Sequence, residues 1–154
     1  MAGEWRSLAE ELRVIDRVSF AGEVPDAELA AHYRSASALV LPSTSRAEAF
    51  GTVLLEAMAS GLPCIATELG TGTSWVVQHD DTGIVVPPDD AGGLRDAILR
   101  LAGEPELAAA MGRAGRARVE AEFTERRMVE RTIALYRELA GADAARPSSA
   151  GDSP

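Results

Sequence analysis

The run SALVLPS at positions 37–43 is apolar without alternation. That property narrows the fold more than any other. A strand with one face in water alternates polar and apolar residues, whereas an unbroken apolar run suits a strand covered on both faces, as in a parallel sheet sandwiched by helices. Downstream, GTVLLEAMAS at 51–60 has helical character, Gly61 ends it, and Pro63 begins a second strand, PCIAT. TGIVVPP at 82–88 predicts a third strand, closed by two prolines. Strands alternating with helices predict an α/β domain built on a parallel sheet. Ligands of such sheets gather at the carboxyl ends of the strands, which directs attention to the loop between Pro42 and Gly51.

The flanking segments follow the same logic. WRSLAEELRV puts Leu8 and Leu12 on one face of a short helix. RVSFAGEVP predicts a strand over Val18–Ala21 and a turn at Gly22. Pro25 and Asp26 open the helical stretch DAELAAHYRSA, with Asp26 as N-cap. A short helix is expected at SWVVQH. A longer one is expected in DDAGGLRDAILRLAGE, where Leu94, Ile98 and Leu101 recur at helical spacing behind an acidic cap region. Two more helices run from Pro105 to Ala140, the second capped by Thr124. One domain is expected over residues 1–140. Residues 141–154 carry no large apolar side chain and are expected to form a disordered tail.

Charge and composition exclude some roles. The 154 residues suffice for one real core. Fifteen basic against 24 acidic side chains leave a formal charge of −9, the opposite of the basic footprint a general nucleic-acid surface needs. A small phosphorylated ligand is not excluded, because amides at a helix start hold phosphate without any lysine. The one cysteine, Cys64, cannot form an internal disulfide and lies in an apolar run that suits a small buried hydrophobe. No segment approaches the roughly 20 apolar residues of a membrane span. The N-terminus lacks the apolar core of a signal peptide, so a cytoplasmic address is expected. No His/Cys/Asp cluster has metal-ligand spacing, and no metal or cofactor is expected.

Within EAFGTVLLEAMASGLPCIAT, 48–67, the only charged side chain after the opening glutamate is Glu56. A helix apolar all round is usually buried, and a buried carboxylate needs a partner. If the helix begins near Gly51, the amides around Phe50, Gly51, Thr52 and Val53 lack intrahelical partners. Gly51 lets a ligand approach the backbone, and Thr52 adds a hydroxyl. Together they form a candidate phosphate seat at the positive end of the helix dipole. Glu48 precedes the seat and Glu56 follows it by about one and a half turns. Ionised carboxylates only accept hydrogen bonds, so hydroxyls are their natural ligands. A nucleotide sugar presents hydroxyls, a diphosphate and hydroxyls again. The same spacing is also met by a Glu56 that faces water and a Gly51 that merely punctuates a loop.

VSFAGEV, YRSASALVLPS, RAEAFGTVLLEAMASGLPCIAT, TGIVVPPDD and the later Phe123–Thr124 and Leu135–Tyr136 pairs resemble the C-terminal donor-binding domain of GT-B glycosyltransferases of the retaining family 4 kind, over roughly residues 5–140. The resemblance implies a Rossmann-like parallel sheet flanked by helices. It implies a metal-independent transfer of a glycosyl group from a nucleotide-diphosphate sugar with retained configuration. It assigns Glu48 the catalytic place, bonding the donor sugar's hydroxyls, and it assigns the backbone around Phe50, Gly51, Thr52 and Val53 to sugar and diphosphate. Glu56 then takes the ribose hydroxyls, and the stretch around Val24 borders the base. Gly70, Thr71, Gly72 and Thr73 either line the donor pocket or form a plain turn. His32 suits a structural or exposed position, His79 a surface turn with solvent as its partner, and Arg113, Arg116 and Arg118 a solvated helix face.

Some family features have no counterpart here. Where many relatives carry a glutamate after paired glycines, this chain has Trp75 and Val76. The N-terminal acceptor domain, the first two strands of the donor domain and an Arg/Lys pair that grips the diphosphate are not matched. A chain so composed is expected to re-pair its strands, self-associate or join a partner domain, because unpaired strand edges are a hazard. Two further readings stay open: a non-catalytic remnant or partner-binding module, and a GT-B nucleotide-sugar epimerase. For the full-length enzyme, a site peripheral to the inner membrane is also compatible.

Overall fold

A computed structural model describes residues 2–144, which divide into two compact units with the boundary between His32 and Tyr33. The first unit holds helix α1 (Ala2–Glu11), a 3-10 turn at Ile15–Arg17 and most of helix α2 (Asp26–Ser35). Arg6 lies over the Phe20 ring at 4.8 Å. The strand expected at Val18–Ala21 does not form. Val18 has extended torsions, φ −115° and ψ 120°. No strand among the described residues pairs with it, and an extended segment without a ladder partner is not a strand. Asp26 is the first helical residue and supports the start of α2 as a first-turn acid.

The second unit is built on three parallel strands, β1 (Leu39–Leu41), β2 (Cys64–Thr67) and β3 (Gly83–Val86), in the order β1-β2-β3. Leu39, Val40 and Leu41 face Cys64, Ile65 and Ala66, and Cys64–Thr67 face Gly83–Val86. Every residue of β2 is buried, as its place between two strands and two layers requires. Helix α3 (Thr52–Ala59) connects β1 to β2, and the short helix α4 (Thr73–Val76) lies between β2 and β3. Helices α5 (Ala91–Gly103), α6 (Pro105–Glu122) and α7 (Glu125–Ala144) complete the chain. The last of these extends four residues into the expected tail, and residues 145–154 lie outside the described residues.

Ile65, Ile84 and Val86 of the sheet pack with Ala97 and Leu101 of α5 and Met111 of α6. Leu54, Ala57 and Met58 bury the inner face of α3, which packs against β1, β2, α4 and α6. Helix α3 ends in a Schellman motif: Gly61, at φ +81°, donates to Met58 O, and Leu62 N–H reaches Ala57 O. Helix α6 crosses this end so closely that a Cβ on Gly112 would lie 2.0 Å from Gly61 O. Asp90 caps α5 by accepting the Gly93 amide at 2.8 Å. Asp90→Ala is therefore expected to lower stability by about 1 kcal/mol in urea titration. Thr124 accepts the Arg127 amide at 3.3 Å and caps α7 as its sequence position suggests.

Candidate functional site

The loop after β1 is held in place by its neighbour after β2. Thr67 Oγ1 donates to Ser43 O, Thr71 Oγ1 to Glu48 O at 3.0 Å, and the Gly72 amide to Ala49 O at 2.8 Å. Arg46 reaches Gly70 O at 3.3 Å. Gly72 admits no side chain, since a Cβ there would lie 2.8 Å from both Ala49 O and the Phe50 ring. Thr73, fully buried, donates to Thr67 O. Thr71 and Gly72 thus staple the backbone carrying Glu48 and Phe50, Gly70 accepts the Arg46 side chain, and Thr73 ties its own loop back to the end of β2. At the carboxyl ends of the strands a cleft of about 290 Å³ opens between Pro42, Thr44, Thr67, Val86 and Asp90.

Glu48, Phe50, Gly51, Thr52 and Val53 do converge on one helix start. Gly51 has φ 76° and ψ 58°, a left-handed conformation that turns the loop into α3. Half-buried Glu48 folds over this turn, and its Oε1 accepts the Gly51 amide at 3.0 Å. The carboxylate therefore engages one of the amides expected to be open. Thr52 and Val53 occupy the first turn, where no intrahelical carbonyl reaches their amides, and Thr52 is exposed. Val24 belongs to the first unit, where it is half-buried.

The expectation of a buried Glu56 is corrected. Its side chain is exposed, because α3 buries the stripe Leu54, Ala57 and Met58, and a residue two positions after Leu54 points about 200° around the helix from it. Its partner is nonetheless specific. The Tyr33 hydroxyl donates to Glu56 Oε2 at 2.8 Å. Burial first, then the hydrogen bond and charge of Glu56, push the Tyr33 phenol up to about 12. Tyr33 lies 23 residues from Glu56, and no local spacing announces the pair.

Phe50 is 37 % exposed and abuts Trp75 and Phe123, with ring centroids 6.2 and 6.3 Å away. Trp75 and Phe123 meet edge-on at 4.9 Å. Arg118 lies over both rings and donates to Trp75 O at 2.8 Å and Val76 O at 3.2 Å. It is a clasp between α6 and α4, which corrects its expected place on a solvated face; Arg116 pairs there with Glu120 at 2.9 Å. Trp75 thus stands behind Phe50 as part of its support.

Two other expectations can be placed. His79 Nδ1 accepts the Val85 amide at 3.0 Å, so its partner is backbone rather than solvent alone. Cys64 is fully buried, and burial pushes its thiol up to about 12, as suits an inert core residue. Among the described residues no group of three or more His, Cys, Asp or Glu side chains could hold a metal ion. No described helix is long and apolar enough to cross a membrane.

The chain is similar in sequence and fold to known proteins. The family model described as "Glycosyl transferases group 1" matches residues 2–118. The chain is 43 % identical over 107 residues to D-rhamnosyltransferase WbpZ of Pseudomonas aeruginosa, covering 70 % of this chain and 28 % of that protein. It is 39 % identical over 123 residues to a GDP-mannose-dependent alpha-(1-6)-phosphatidylinositol monomannoside mannosyltransferase of Mycobacterium tuberculosis, covering 77 % of this chain and 32 % of that one. Among solved structures, sucrose-phosphate synthase from Thermosynechococcus elongatus superposes with a TM-score of 0.79 at 38 % identity, over 92 % of this chain and 35 % of that chain. The chain therefore spans about a third of the length of these relatives. Its Rossmann-like parallel sheet flanked by helices is that of the C-terminal half of GT-B glycosyltransferases. A family model that accounts for most of the chain, with relatives that agree in sequence and fold, establishes that this chain belongs to the glycosyl transferases of group 1.

Proposed function

We propose that the chain is the donor-binding part of a retaining glycosyltransferase that holds a nucleotide-diphosphate sugar. The observation that carries the assignment is the meeting of Glu48, Phe50 and Gly51 at the opening of α3, with the Glu48 carbonyl held by the Thr71 hydroxyl and its carboxylate by the Gly51 amide. The diphosphate takes the amides from Phe50 to Val53, where the helix dipole favours negative charge. The sugar's hydroxyls bond Glu48, which acts at the reacting ring. Ribose hydroxyls bond Glu56. Transfer needs no metal in this scheme. Relatives named as a rhamnosyltransferase and a mannosyltransferase support a hexose-type donor. The acceptor is bound by a part of the enzyme outside this chain, or by an associated one, so the chain alone is expected to bind donor weakly and to transfer nothing. The setting is cytoplasmic, with the full enzyme peripheral to the inner membrane.

Calorimetric titration with UDP, GDP and their sugar derivatives tests the scheme. Binding near about 1 mM is expected for the better base. Glu56→Ala should weaken every ribonucleotide about tenfold, the value of a hydrogen bond to a charged group. Glu48→Ala should weaken the sugar-bearing donor by a similar factor and, by freeing the Gly51 amide, bind the bare diphosphate at least as tightly as before. Affinities indifferent to both changes would remove the scheme.

A further inference from the structure

We propose that Tyr33 is the positioning residue of Glu56, a tether that holds one carboxylate oxygen so that the other faces a vicinal diol; the inference rests on the ribose role assigned to Glu56 above. An exposed glutamate on a helix has three side-chain torsions and ordinarily samples many rotamers. Such a side chain loses that freedom when it binds a ligand, at a cost of about 0.5–1.5 kcal/mol. Glu56 is not in that position. Tyr33, only 9 % exposed and carried by the end of α2, holds it by a 2.8 Å bond from a hydroxyl on a rigid ring.

The chemistry leaves the right group over. A phenol has one proton to give, and here it goes to Oε2. An ionised carboxylate offers about four lone-pair sites, so Oε1 and the second site on Oε2 remain for two neighbouring hydroxyls. With its ionisation pushed up to about 12, the phenol stays a donor at any working pH. Exposure of Glu56 also means that removing the hydroxyl strands no buried polar atom, since water can take its place. Tyr33→Phe is therefore expected to fold, which makes the tether open to test.

The probes are UDP and GDP, each compared with its 2′,3′-dideoxy form by ligand-observed NMR on the whole chain. The unaltered chain should prefer the ribo form about tenfold. Tyr33→Phe should reduce that preference to about twofold while leaving the dideoxy affinity unchanged, a pattern that general damage to the site would not give. Glu56→Gln should abolish the preference, and adding Tyr33→Phe to it should change nothing more, because the tyrosine acts only through the carboxylate. A full preference retained in Tyr33→Phe would overturn the tether and leave the donor assignment standing. A further loss on adding Tyr33→Phe to Glu56→Gln would also overturn it, by showing a separate route. If the unaltered chain binds neither probe, or shows no preference for ribose, the role of Glu56 fails and the tether fails with it.

Discussion

Gly112→Ala should lower the melting midpoint of the chain by about 10 °C. The added Cβ would lie 2.0 Å from the carbonyl oxygen of Gly61 and 2.9 Å from its carbon, distances at which something must move. Neither side yields easily. Gly61 is the left-handed residue that closes α3; its own amide is committed to Met58 O and that of Leu62 to Ala57 O. Helix α6 is fixed on its other side by Met111, 1 % exposed, in the core with Ile65 and Leu101. The two helices would have to part, breaking contacts around Met58 and Met111 together. Overpacking of this kind costs about 3 kcal/mol or more, against a total stability of about 5–15 kcal/mol for ordinary domains. Gly103→Ala is the control, since nothing lies within 4 Å of its added Cβ. Thermal melts of the two variants decide the matter: equal midpoints would show that the α3–α6 approach is looser than its geometry.

Raising the pH above 9 should destabilise the chain. Burial pushes the Cys64 thiol from 9.0 up to about 12. A group whose pKa is higher in the folded state favours folding fully below its unfolded pKa, and that contribution is lost as pH rises. Between pH 9 and about 12 the unfolded chain ionises at this position while the folded chain stays protonated, so stability falls through this window. Three units correspond to a loss on the order of 4 kcal/mol. Urea titrations at pH 8 and pH 11 span about two of these units and should show a loss on the order of 3 kcal/mol. Cys64→Ala should show a smaller fall between the two, though from a lower starting stability. The same burial should leave the native thiol unreactive toward alkylating reagents at pH 8, with labelling only through unfolding. A pH profile unaltered by Cys64→Ala would contradict the assignment.

The sequence pattern makes the second unit legible for a physical reason. Its strands and helices carry their periods locally: the unbroken apolar runs at Leu39–Leu41 and Cys64–Thr67 announce strands covered on both faces, and Asp90 and Thr124 announce helix starts. Val18–Ala21 misleads because alternation reports only that a segment could be a strand, whereas a strand exists only with a partner. Glu56 misleads for a different reason. A nearly charge-free stretch was expected to bury it, but an eight-residue helix of apolar side chains still has an outward side, and Glu56 is on it. The convergence of Glu48, Phe50 and Gly51 is legible because all three lie within four residues. The Tyr33 bond and the Arg118 clasp are not, since they join positions 23 and about 42 residues apart and depend on which helices the fold makes adjacent.

The carboxylate of Glu48 resting on the Gly51 amide has a thermodynamic corollary. This pole of the helix is never bare: it carries a resident counter-ion supplied by its own chain. An incoming anion that claims the same amide must evict that resident, so the measured affinity is the difference between two rivals for one dipole rather than the full attraction of either. Selectivity follows from such an exchange, because only a guest that rehouses the displaced acid, by offering it hydroxyls of its own, escapes the eviction penalty.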